Sequence, residues 1–259
     1  MRPKAAGETT RNDPIHHAEE RPMKPLEDMP PLIQKQGLAG QVHDLLEKRI
    51  INGELPLGAP LNEDEMARTF GISRSPVREA LSRLERSMLV ERVGPRNRRI
   101  LVPTMKFISD VYDTWVVIEI GRAYASCINA SPSDHRRLEK LLDAMGQTLG
   151  ERKIEEHLEL SDEFHGLLTR HCRNQYLLQL HRDCQRYVQW FANIYFGKVD
   201  ISEQSMREHR EIARHYIDRD FLGLSDSLQR HIRRQKNQVL AAMERMAQDG
   251  TLREAEEAR

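Results

Sequence analysis

The sequence predicts a mainly α-helical chain, a winged helix-turn-helix with a small β wing followed by an all-α bundle. Three observations carry that prediction. Aromatic residues are only 5% of the 259, so a core must come mainly from Leu, Ile, Val, Met and Ala, which suits helices better than a β-sandwich. From Leu38 onward apolar residues recur with the helical period. Between Asn62 and Leu84, two helix patterns flank a turn of about four residues and lead into an arginine-rich hairpin.

Forty basic and forty acidic side chains leave a formal net charge of 0. No apolar run approaches the roughly 18 residues that span a bilayer, and no apolar stretch follows the early charges as in a secretory signal. No membrane role and a cytoplasmic location are expected. Cys127, Cys172 and Cys184 are odd in number and lack CxxC spacing, which argues against a disulfide framework and a zinc knuckle.

Residues 1–36 hold six of the twelve prolines and read as a disordered tail. Val42, Leu45, Leu46 and Ile50 then mark one face of a helix that Gly53 ends. Asn62 is an N-cap with Glu65 three residues on, and Gly71 closes that helix. Ser75 is expected to cap the next helix with Pro76 at its first position, burying Val77, Ala80, Leu81 and Leu84. Leu89–Val93 and Arg99–Val102 read as strands around a tip at 94–98. The winged helix-turn-helix domain is expected over 37–104. Helices follow over 105–250, with breaks near Ser131-Pro132, Gly150, Arg173-Asn174, 197–202 and Gly223.

In a helix-turn-helix the second helix enters the major groove by its N-terminal residues. Here these are Arg74, Ser75 and Arg78, and Arg78 lies about 100° from Val77 on the wheel, off the apolar stripe. From Arg74 to Arg99 eight arginines face three glutamates, 8 − 3 = +5, an electrostatic footprint for phosphates in an otherwise neutral chain.

The stretches GELPLGAPL (53–61) and GISRSPVREAL (71–81) resemble the GntR family of bacterial winged-helix regulators. The resemblance implies operator contacts from Arg74, Ser75 and Arg78 and from the wing tip, Arg96, Asn97 and Arg98. The chain departs from the family at Met88 and Arg99, both usually glycine. The helical part resembles the FadR branch with an FCD-type effector domain. Phe164-His165 with Asn174 nine residues later, and Glu208-His209 with His231 22 residues after that histidine, follow its pattern.

Read from periodicity, His165, His209 and His231 border the apolar faces of their helices, and three imidazoles converging in a bundle suit Zn or Ni. The resemblance implies an Asp four residues before the first histidine. Ser161 stands there, and Asp162, three before, is the nearest substitute. Trp115 replaces the family's arginine four before Glu119, and Arg122 is a second inward candidate for the effector.

The function expected is a homodimeric regulator on palindromic operator DNA, in the commoner case a repressor, controlled by a small organic acid coordinated to the metal. The competing readings are a metal-dependent hydrolase, an architectural DNA-binding protein that senses nothing, and a metal-free acyl-ligand sensor.

Overall fold

A computed structural model describes residues 37–94, 97–195 and 202–248. The expected tail, 1–36, and Arg96 lie outside the described residues.

α1 (Leu38–Ile51) buries Val42, Leu46 and Ile50, while Leu45, expected on the same face, is 44% exposed. β1 (Pro60–Asn62) leads into α2 (Glu63–Phe70), where the Asn62 side chain accepts from the amides of Asp64 and Glu65. Gly71 ends α2 at φ 65°, the left-handed conformation that glycine adopts without steric cost. α3 (Arg74–Arg86) starts earlier than expected, with Ser73 rather than Ser75 at the N-cap. Pro76 therefore sits third in the helix, still in the first turn, where a missing N–H costs nothing. Val77, Ala80, Leu81 and Leu84 are fully buried.

β2 (Val90–Arg92) and β3 (Asn97–Ile100) form the wing hairpin, and β1 adds a third antiparallel strand in the order β1-β3-β2. The first strand was not expected from sequence. It is three residues long, begins at Pro60 and shows no usable alternation.

The chain then enters α4 (Met105–Cys127), capped by the Thr104 hydroxyl, and α5 (Pro132–Gly150), which opens with a complete Ser131/Asp134 capping box. α6 (Ile154–Thr169), α7 (Gln175–Tyr195), α8 (Glu203–Ile217) and α9 (Phe221–Gln248) complete the described fold. The last break falls at 218–220 rather than at Gly223. Asp220 accepts from the Gly223 amide, so this glycine lies in the first turn of α9.

Two cores organise the helices. One runs from Ile50, Leu81 and Ile100 in the winged part through Ile108 and Tyr112 of α4 to Trp190, Phe191 and Val239. The other joins Leu138, Met145, Phe164, Leu168, Ile212, Tyr216 and Leu228. The histidines stand beside this second core, with the Phe164 ring 5.0 Å from that of His209.

Candidate nucleic-acid interface and candidate metal centre

The start of α3 presents Arg74, Ser75 and Arg78 to solvent, opposite the buried Val77–Leu84 stripe. Both arginines are held by acids of α2's first turn: Arg74 Nε lies 2.6 Å from Asp64, and Arg78 Nε donates to Glu63 at 3.1 Å. Asn97 is exposed on β3. Arg98 corrects the expectation that it faces DNA, because its side chain is 3% exposed and donates to Glu63, Glu85 and Ser82. Strand alternation explains this placement: Arg98 shares its face with buried Ile100, while Asn97 and Arg99 turn the other way. Arg99 instead pairs with Glu91 across the hairpin at 2.7 Å. Met88 takes φ 51°, in the left-handed region that favours glycine, at the position where the resemblance implies one.

At the other site, α6, α8 and α9 bring His165, His209 and His231 together. Their ring centroids are 4.8–5.4 Å apart, and one candidate ligand atom from each lies within 4.8 Å of the others. The Nε2 atoms of His209 and His165 are 3.2 Å apart. His209 and His231 are almost wholly buried. Burial, with the neighbouring His231, lowers the His165 imidazole to about 3, and burial among the same rings holds His209 well below its ordinary value. Both are therefore neutral, with lone pairs available, near pH 7.

His231 Nδ1–H donates to Glu208 Oε2 at 2.8 Å, and its Nε2 accepts from the Gln235 side-chain amide at 3.2 Å, a bond that an ion at Nε2 would replace. Burial would raise the Glu208 carboxyl, but hydrogen bonds from His231, Arg234 and Gln204 bring it down to about 2. A carboxylate behind a histidine is the support that metal-ligating imidazoles commonly have. His209 Nδ1 is buried without a partner. Neutral, converging imidazole nitrogens and a carboxylate behind one of them fit a divalent cation. Asp162 does not join them: it is exposed and outside the group of converging ligand atoms. The reason is rotational, since a residue three before His165 is turned away from its direction by about 60°.

Arg122 is buried, with Nη1 on Glu119 (2.7 Å) and Nη2 on Thr169 Oγ1 (2.9 Å), while its Nε has no partner. Thr169 in turn donates to the His165 carbonyl at 3.2 Å. Trp115 lies against His181, ring centroids 4.7 Å apart, and His181 Nε2 is 3.2 Å from Glu119. Burial, with Arg122 and Arg182 nearby, lowers His181 to about 4, and burial raises Glu119 against the pull of Arg122. Sequence reasoning did not single out His181. It lies on another helix, and no spacing rule ties it to Trp115 or Glu119. The backing role of Glu208 was also missed, although its place beside His209 was a usable signal.

Among the described residues no helix is long and apolar enough to cross a membrane. Residues 38–97 match the family described as bacterial regulatory proteins, gntR family, and residues 110–234 match the FCD domain. The chain is 27% identical over 173 residues to the HTH-type transcriptional regulator YdhC of Bacillus subtilis (strain 168), covering 66% of this chain and 77% of that one. It is 24% identical over 192 residues to the HTH-type transcriptional repressor RspR of Escherichia coli (strain K12), covering 74% and 84%. A GntR transcriptional regulator from Rhodococcus sp. RHA1 shares the fold with a TM-score of 0.60 at 20% identity, over 79% of this chain and 98% of that one. E. coli McbR/YncC does so with a TM-score of 0.58 at 17% identity, over 78% and 97%. With the start of α3 exposed ahead of the helical part, the chain belongs to the GntR family, with an FCD domain, and is a DNA-binding transcriptional regulator rather than an enzyme.

Proposed function

We propose that the chain is a cytoplasmic, homodimeric repressor whose operator affinity is set by a small organic acid bound at a divalent metal, Zn or Ni, in the helical domain. The observation that carries the reading is the convergence of His165, His209 and His231 with Glu208 behind His231. These three imidazoles would hold the ion, and a bound ion would supply a Lewis-acidic centre able to take a carboxylate oxygen. Arg122, with its unpartnered Nε, and Trp115 would contribute to the wall that receives the rest of the acid.

Residues 37–104 would read DNA through Arg74, Ser75, Arg78, Arg96 and Asn97, and 105–250 would sense and dimerise. Exposed apolar side chains on α4 (Val117, Tyr124), at its C-cap (Ile128) and on α7 (Tyr176, Leu180) support a second copy there. Two recognition helices would then meet half-sites about 34 Å apart. The repressor RspR among the relatives supports repression. The effector acts only through its difference in affinity between two arrangements of the dimer.

The test is metal per protomer in tag-free wild type and His209→Ala, followed by duplex binding with and without the metal. Near-stoichiometric metal that the substitution removes is the expected result. Metal-free protein after dialysis against Zn and Ni would overturn the metal assignment and turn the effector search to acyl ligands. Metal without any change in duplex binding would leave an architectural role.

A further inference from the structure

Glu63, the first residue of α2, turns its two carboxylate oxygens to two different arginines. Oε2 accepts from Arg78 Nε at 3.1 Å, and Oε1 accepts from Arg98 Nη1 at 2.6 Å. Arg98 gives the rest of its guanidinium to Glu85 Oε2 (Nε, 3.1 Å) and Ser82 Oγ (Nη2, 3.2 Å). Glu85 also takes Arg92 through Nε and Nη2, each at 3.0 Å. The charges alternate along Arg78–Glu63–Arg98–Glu85–Arg92, from the recognition helix through α2 and β3, back to α3 and out to β2. The ends are the most exposed members, at 63% for Arg78 and 47% for Arg92, and the centre is the least, at 3%.

This arrangement has a physical consequence for DNA. Two carboxylates beside the recognition helix would repel phosphates if uncompensated; the central guanidinium bridges them, and with Arg78 and Arg92 the ladder carries 3 − 2 = +1. Because Glu63 holds Arg78 by Nε, the terminal nitrogens remain for a guanine edge, which arginine reads with two parallel N–H donors.

We propose that Arg98 is not a DNA contact but the positioning residue of a charge ladder that aims Arg78 at a base in the major groove and Arg92 at a neighbouring backbone phosphate. The proposal rests on the reading of α3 as the recognition helix.

The experiment uses the full chain and a duplex that wild type selects from a random-sequence pool, with a scrambled duplex of equal length as control. Arg78→Ala marks the base pair at which that arginine gives preference. Arg98→Met is expected to erase preference at the same base pair and to lower the selected-to-scrambled affinity ratio about tenfold, near the discrimination of one bidentate contact. Glu63→Gln is expected to weaken the same preference. Arg92→Ala is expected to keep the preference while weakening both duplexes alike and reducing the salt slope by about 1, as loss of one phosphate contact does.

If Arg98→Met weakens both duplexes equally with a reduced salt slope, Arg98 is itself a phosphate contact and the ladder is wrong. An unchanged base preference in Arg98→Met and Glu63→Gln overturns it too. Should Arg98→Met lose its helical circular dichroism, Arg98→Lys keeps the charge but cannot span both glutamates, and the same loss of preference is expected. Wild type that enriches no duplex would refute the recognition-helix reading itself, a failure distinct from an intact selection with unchanged preferences.

Discussion

Replacing His209 by leucine separates a metal centre from a packing cluster by the sign of its effect. In the metal-free protein His209 is a poor structural residue. It is 2% exposed, its Nδ1 has no partner, and its Nε2 meets only the Nε2 of His165 at 3.2 Å. A buried unsatisfied nitrogen costs about 1–3 kcal/mol, and the substitution removes one at His209 Nδ1 while leaving another at His165 Nε2, so the two effects offset. Leucine has similar bulk and would lie against the Phe164 ring, 5.0 Å from the imidazole it replaces. The metal-free variant is therefore expected to match wild type within about 2 kcal/mol. Wild type should gain about 2.7 kcal/mol from an ion at 100 times its Kd, a rise in Tm of about 5–10 °C for a chain of this size. Thermal denaturation in chelator and in Zn, on both proteins, reads all four values. A variant that loses several kcal/mol in chelator, beside wild type whose Tm ignores Zn, would refute the reasoning and make the histidines structural.

Two further predictions concern the scaffold. Trp190 is fully buried in the core that joins the winged part to α4, α7 and α9, so Trp190→Ala should cost about 3–5 kcal/mol. Wild type should also unfold in one transition in urea, and separate melting of the winged part would show that the shared core does not couple them. Hydrogen bonds from the Ser131 hydroxyl and amide, aided by His171 against the effect of burial, hold Asp134 at about 2, below an ordinary 3.8. A depressed folded value stabilises above the unfolded value and is lost as pH falls through the folded one, here between about 4 and about 2. The difference is worth about 2 kcal/mol, and Asp134→Asn should flatten the stability profile in that window. A variant with an unchanged acid limb would assign it to other carboxylates.

Helical parts of the fold were legible because amphipathic periods and caps are local signals. Asn62, Gly71 and the Val77–Leu84 stripe lie where the pattern puts them. Elements set by tertiary pairing were not. β1 exists because β3 offers it partners, and three residues that begin with Pro60 cannot announce that. Arg98 was misplaced although a signal was present: Ile100 marks the buried face of β3, and Arg98 lies two residues before it. The histidine cluster was legible through spacing and helical faces, whereas the Glu208–His231 contact depends on how α8 docks against α9. Gly223 suggested a break because glycine ends helices more often than it opens them. Here Asp220 caps the turn, and a Cβ at Gly223 would come within 2.2 Å of the His215 ring.

The placement of α7 allows the candidate metal centre and the winged part to be coupled, and one hydroxyl tests it. At its first half, His181 meets Glu119, which holds Arg122, which donates to Thr169 under His165. At its second half, Tyr187 OH donates to the Ser87 carbonyl after α3 at 2.5 Å, and Asn193 donates to the Ile51 carbonyl at the end of α1 at 2.8 Å. Such continuity is only spatial until an equilibrium is shown to respond at both ends. Tyr187→Phe keeps the ring against Phe107 and Phe191 and removes only the hydroxyl. Coupling between two sites is typically about 1–3 kcal/mol, so duplex affinity with and without Zn should differ by about 5- to 150-fold in wild type. The variant should bind Zn as wild type does yet show a smaller difference. A full Zn response in Tyr187→Phe would mean that this contact anchors the winged part without transmitting the state of the candidate metal centre.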